Sequence, residues 1–163
     1  MKFHLEVRYA AEPDAVAGAY ADPALYAAFT ALPRAGRPDV LGHKASGDVV
    51  ELQVRWRFAG ELSGAARRVI DPDRLTWVET SRHDLAARRT TFRMVADHYA
   101  DRFSCAGSYR FDGAPGGTGT VRIVDGELKV KAPLVAKAVE QAIVSGVEEQ
   151  LRGEAAVVDA FLG

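Results

Sequence analysis

Residues Pro133–Leu162 read PLVAKAVEQAIVSGVEEQLRGEAAVVDAFL, and this stretch decides the fold. It is the one segment long enough for an extended helix, about 45 Å at ~1.5 Å per residue. At 100° per residue, Ala136, Val139, Ile143, Val147, Val157, Val158 and Phe161 fall on one face. Lys137, Gln141, Ser145, Glu148, Arg152 and Asp159 fall on the other, with Glu148 and Arg152 in the favourable i,i+4 order. Two features interrupt the apolar face. Gly146 stands where a larger side chain would fill a core, and Gln150 and Glu154 lie near its centre one turn apart. A carboxylate on a buried face is costly unless paired or hydrated. Glu154 is therefore expected to reach solvent near the helix end, to pair with an arginine from a sheet, or to join Gln150 as a polar contact in a cavity that Gly146 leaves open.

Everything before this helix alternates. Phe3, Leu5, Val7 and Tyr9 oppose Lys2, His4, Glu6 and Arg8, the period of a half-buried strand. Pro13 and the pair Asp22-Pro23 are helix-start signals, and they predict short helices over 13–20 and 23–31. Val16, Tyr20, Leu25, Tyr26 and Phe29 are their apolar residues. A weak strand over 37–45 and a turn at Ser46-Gly47-Asp48 follow. Residues 50–58 then alternate strongly, with Val50, Leu52, Val54, Trp56 and Phe58 on one side. Residues 61–70 are ambiguous and lean to a short helix, and Asp71-Pro72-Asp73 is a turn. Strands are expected at 74–83, 89–98, 102–111 and 120–131, with a Gly-rich hairpin loop over 113–119. The last alternation slips near Asp125-Gly126, which points to a β-bulge. Strands arriving as successive hairpins form an antiparallel sheet, and the terminal helix covers its apolar side. The expectation is α+β: one domain over 1–163, a seven-stranded sheet and a long C-terminal helix.

Composition excludes several functions. Twenty-one basic and 22 acidic residues leave a formal net charge of −1, unlike the basic surface that nucleic acid requires. Cys105 is the one cysteine, so no intramolecular disulfide forms. No apolar run approaches the ~20 residues of a membrane span, and no signal-peptide core opens the chain, so a cytoplasmic location is expected. His4, His43, His83 and His98 lack metal-ligand spacing, and no metal or cofactor is expected. Cys105 reads as a small buried hydrophobe and GAPGGTG as a loop; Arg67-Arg68 and Arg88-Arg89 read as solvated.

The order of strand, helix pair, six strands and long helix resembles the helix-grip fold of the START-like (SRPBCC) superfamily. That group includes pollen-allergen-like proteins, lipid-transfer domains and polyketide cyclases. GELKVKAPLVAKAVEQAIVSGVEEQL at 126–151 resembles a bacterial family in it known only as a domain of unknown function. The resemblance implies a curved sheet gripping the helix with a hydrophobic pocket between them. Fold alone does not fix activity.

Candidate lining residues are Phe29, Trp56, Trp77, Phe92, Met94, Phe103 and Tyr109, with Ile143, Gly146, Val147, Gln150 and Glu154 from the helix. The aromatic residues serve equally as plain core. Trp77 and Val78 are adjacent, so the parity of their strand is open. If Trp77 points in, so do Glu79, Ser81 and His83; the simpler expectation exposes this strand end at a rim. The ranked functions are a carrier or sensor of a hydrophobic small molecule or lipid, then a cyclase- or dehydratase-like enzyme on a polyketide or aromatic substrate, then a protein-interaction module. The enzyme would draw its acid/base groups from Glu79, His83, Gln150 and Glu154.

Overall fold

A computed structural model describes residues 1–62, 67 and 71–163. The helix expected over 61–70 lies mostly outside them, as does Arg68. The chain runs β1 (Lys2–Tyr9), α1 (Pro13–Tyr20), α2 (Pro23–Ala28), β2 (Asp39–Ser46), β3 (Val49–Arg57), β4 (Thr76–Asp84), β5 (Arg89–Ala96), β6 (Phe103–Gly113), β7 (Thr120–Val130) and α3 (Ala136–Leu162). Seven strands form one antiparallel sheet in the order β1-β7-β6-β5-β4-β3-β2, so the first and last strands are neighbours. This is the antiparallel sheet and terminal helix expected from the alternation, and the helix-grip architecture that the resemblance implies.

The local signals act as their chemistry requires. Pro13 and Pro23 open α1 and α2, where their missing N–H groups need no partner. Asp22 caps α2 by accepting from the Ala24 N–H at 2.8 Å. That helix ends at Ala28, short of residue 31. The long helix also starts later than expected. Pro133 precedes it, Leu134 takes a left-handed φ of 68°, and the first helical residue is Ala136. Its 27 residues span about 40 Å.

The expected bulge at Asp125-Gly126 is absent. The pairing of β7 with both β1 and β6 runs through these residues without a shift. The irregularity lies instead at Val40/Gly42 in the edge strand β2. Gly126 serves close approach. It pairs with Gly107 and with Phe3, and an added Cβ would lie 2.4 Å from the Phe3 ring. A Cβ on Gly107 would lie 2.3 Å from the Asp125 carbonyl oxygen. Gly107 meets backbone and therefore has to be glycine for β6 and β7 to lie this close, whereas at Gly126 the obstacle is the Phe3 ring. Gly107→Ala is expected to cost about 1–3 kcal/mol in chemical denaturation, the usual range for overpacking. An unchanged midpoint would contradict this packing.

The helix α3 packs on β1, β7, α1 and α2, whereas β3, β4 and β5 approach its backbone far less. Along it, only Leu151, Glu154, Ala155 and Val158 are buried. Its first half keeps Val139, Ile143, Val144 and Val147 half-buried, and Phe161, expected on the apolar face, is 39% exposed.

Candidate functional site

Register settles which side chains enter the grip. Residues paired directly across an antiparallel sheet share a face. Trp56 pairs with Trp77, Val54 with Glu79, Leu52 with Ser81 and Val50 with His83. The β3 residues of these pairs are buried, so Trp77, Glu79, Ser81 and His83 all point inward. The expectation of an exposed rim is corrected here: Ser81 is 3% and His83 1% exposed. Farther along, Glu79 pairs with Met94 and Met94 with Cys105, which continues the same inner row.

At the closed end, beneath α1 and the second half of α3, the interior is polar. Arg122 enters from β7, opposite Val7 and Phe111. Its guanidinium lies 3.8 Å from the Tyr109 ring centre and 4.4 Å from that of Tyr20. Desolvated cation–π contacts of this kind contribute about 2 kcal/mol. Arg122 Nη1 stands 3.4 Å from Glu154 Oε2, and both side chains are at least nine-tenths buried. Glu154 also accepts from Tyr20 OH at 3.1 Å and from Gln150 Nε2 at 3.4 Å. The hydroxyls of Tyr9 and Tyr20 are 3.0 Å apart. Burial raises the pKa of Glu154, against the pull of Arg122 and its hydrogen-bond donors. Of the three outcomes open to Glu154, the structure shows the arginine pair.

His83 lies beside this cluster. Its Nε2 is 2.9 Å from Ser81 Oγ and its Nδ1 3.1 Å from Thr90 Oγ1. Burial, helped by the Arg122 charge, lowers its pKa to about 4, so the ring is neutral near pH 7. Cys105 is buried, and desolvation with the charge of Glu79 raises its thiol to about 12.

At the other end, toward the first half of α3, the same inner surface is apolar and less completely covered. Trp77, Met94, Phe103, Ile143, Val144 and Val147 pack on the core but stay only partly buried. Glu79 stands among them. Burial, followed by the charge of Glu154, raises its pKa to about 7, against Arg122 and a nearby Trp56 indole. Among the described residues it has no ion pair. The indole N–H of Trp56 falls short of a full hydrogen bond to it, and both indole N–H groups, of Trp56 and Trp77, are buried without partners. Glu79 is surrounded closely enough to be desolvated, yet it retains accessible surface.

The expected lining residues divide between these zones. Phe29, Trp56, Phe92 and Tyr109 are closed core, each less than 9% exposed. Trp77, Met94, Phe103, Ile143 and Val147 pack against that core and stay partly exposed. Gly146 and Gln150 lie on the flank of α3 beside Arg34, whose N–H donates to Gln150 Oε1 at 3.1 Å. A Cβ on Gly146 would meet only Arg34, at 4.0 Å. The glycine required by packing is Gly153, where a Cβ would lie 2.5 Å from the Pro33 ring. Sequence reasoning missed Arg122 and the two tyrosines Tyr9 and Tyr20 as a buried polar unit. The signal was present: with Arg122 inside, Thr120, Arg122, Val124, Gly126, Leu128 and Val130 keep an unbroken period of two.

Among the described residues, no group of three or more His, Cys, Asp and Glu side chains is placed to hold a metal ion. A groove of about 740 Å³ opens on the outer face of the sheet, lined by His43, Lys44, Glu51, Gln53, Arg82 and Arg93 among others. It is wide open and its lining mixes charged with apolar surface, unlike the enclosed sites that hold small molecules.

A profile of the family described as "Protein of unknown function (DUF2505)" matches residues 4–162. The chain belongs to this family. No curated protein matches it. Among solved structures, it is similar to TTHA0849 from Thermus thermophilus, with 15% identity, 99% of this chain and 97% of that one covered, and a TM-score of 0.68. It is similar to the Zhui aromatase/cyclase from Streptomyces sp. R1128, with 17% identity, coverage of 99% and 93%, and a TM-score of 0.63. Norcoclaurine synthase from Thalictrum flavum gives 20% identity, coverage of 99% and 86%, and a TM-score of 0.62. At these identities the likeness establishes the fold this family member shares with them. Among its described residues no helix is long and apolar enough to cross a membrane.

Proposed function

We propose that this DUF2505 protein binds a hydrophobic small molecule in the cup between the inner face of β3–β6 and the first half of α3. One observation carries the reading. Trp77, Met94, Phe103, Ile143 and Val147 face inward, yet none is fully buried. Apolar side chains turned toward the interior and left partly accessible are completed by a ligand, because each square ångström removed from water contributes about 25 cal/mol. Three of the solved structures similar in fold are of an aromatase/cyclase and two di-domain aromatase/cyclases, which agrees with a small-molecule site. The proposed contacts are Trp77, Met94, Phe103, Ile143 and Val147, with Phe29, Trp56, Phe92 and Tyr109 as the wall behind them, Gly146 and Gln150 at the helix flank, and Glu154 at the closed end beyond.

The test is a titration with 1-anilinonaphthalene-8-sulfonate, followed by displacement with aromatic and acyl compounds. Saturable binding is expected, and Met94→Trp and Val147→Trp, which fill the cup, should weaken it about tenfold or more. Binding that both filled variants leave unchanged, with their far-UV circular dichroism intact, would place the fluorophore elsewhere and sink the reading.

A further inference from the structure

We infer that Glu79 is a general base acting on the molecule held in the cup, and that the molecule is an apolar, ring-sized carbon acid. The inference rests on the binding reading above.

The position of Glu79 is the first ground. It is the ionisable side chain on the inner row between Trp77 and Ser81, directly across from Met94 and Val54, and it retains accessible surface. Among the described residues no cation pairs with it and no donor completes a hydrogen bond to it. Structural carboxylates in an interior are paired, as Glu154 is with Arg122. A desolvated carboxylate left unpaired against an apolar space is the arrangement that proton abstraction uses.

Competing bases are disabled. His83 is 1% exposed, and both its ring nitrogens are engaged by Ser81 and Thr90. Burial keeps the Cys105 thiol protonated, with a pKa of about 12. Glu154 is held by Arg122, Tyr20 and Gln150. The groups that face Glu79 are Glu154 from α3, Arg122 from β7, Cys105 and Tyr109 from β6, and Tyr26 from α2. Their net effect leaves its pKa at about 7, where base strength and the ionised fraction are both useful.

With a carbonyl compound as the carbon acid, the Glu79 carboxylate takes the proton from the carbon beside the carbonyl. The C–H electron pair becomes the C=C bond of the enol, and the carbonyl π pair moves to oxygen. Return of the proton to carbon regenerates the carboxylate, so no co-reactant is needed.

The probe is 5-nitrobenzisoxazole, a neutral aromatic carbon acid. Removal of its C3 proton forms the nitrile as the N–O bond breaks, releasing a coloured phenolate. The protein is expected to turn it over with kcat/KM rising through an inflection near pH 7. Glu79→Gln should lower kcat/KM at least ~100-fold. Glu79→Asp, with its carboxylate drawn back, should lower it less and keep the inflection. If Glu79→Gln does not fold, the inflection in the unaltered protein and the Glu79→Asp rate decide. Fluorophore binding without Glu79-dependent turnover overturns the base while the binding reading stands. Absence of binding by both fluorophore and probe overturns the two together.

Discussion

Arg122→Ala is expected to cost about 3–5 kcal/mol of stability near pH 7, because it strands a buried carboxylate. Glu154 would keep Tyr20 and Gln150 as donors but lose its cation, and Glu79 already adds a like charge nearby. The loss has a pH signature. With Arg122 gone, the pKa of Glu154 rises further in the folded state, so the folded chain binds more protons than the unfolded one. The variant should therefore regain stability as pH falls toward the ordinary carboxylate range. The double variant Arg122→Met, Glu154→Leu removes both charges and is expected to recover most of the loss, since apolar replacement of a buried pair is often neutral. Urea denaturation of the two variants is the check. A single-variant cost below about 1 kcal/mol would mean that Arg122 is hydrated rather than clasped between Tyr20 and Tyr109.

Glu79 and His83 act on stability in opposite directions. The folded pKa of Glu79 is about 7 against an ordinary 4.5, so between those values the folded state holds more protons. Its contribution falls as pH rises from 4.5 to 7. The folded pKa of His83 is about 4 against 6.5, so the unfolded state holds more protons in that window. Its contribution falls as pH drops from 6.5 to 4, by roughly 3 kcal/mol at most. Across pH 4.5–6.5 the slopes of these two groups oppose each other. Glu79→Gln leaves His83 alone, and its urea midpoint should climb from pH 4 to 6.5 and then level. His83→Gln leaves Glu79, and its midpoint should fall from pH 4.5 to 7. Parallel profiles for both variants would show that neither group titrates within the fold.

The architecture was legible because burial writes a period into a sequence. The faces of β1, β3 and β6 alternate with few exceptions, and one helix can close the sheet they form. The mouth and the floor of the grip were harder. At Trp77-Val78 two adjacent apolar residues hide the parity, and only the pairing of Trp56 with Trp77 fixes it. That single choice carries Glu79 and His83 inward. In β7 the inward Arg122 was passed over, because an arginine ordinarily marks the wet side. Its burial depends on partners far along the chain, Tyr20, Tyr109 and Glu154, which no local window contains. Glu154 was the clue from the other end, a carboxylate on an apolar helix face that required a cation. The start of α3 was overread because Pro133 suits a first helical turn, whereas Leu134 in the left-handed region delays the helix to Ala136.

The central claim is that the space between the inner sheet face and the first half of α3 receives an apolar molecule. Methyl-resolved NMR tests it most directly, with a bound aromatic ligand titrated against labelled Met, Ile, Leu and Val methyl groups. Ring-current shifts are expected at Met94, Ile143, Val144 and Val147, with Val16 and Leu25 in the closed core unmoved. Shifts confined to Val95 and its neighbours in the outer groove, or none at Met94 and Ile143 at saturation, would contradict it.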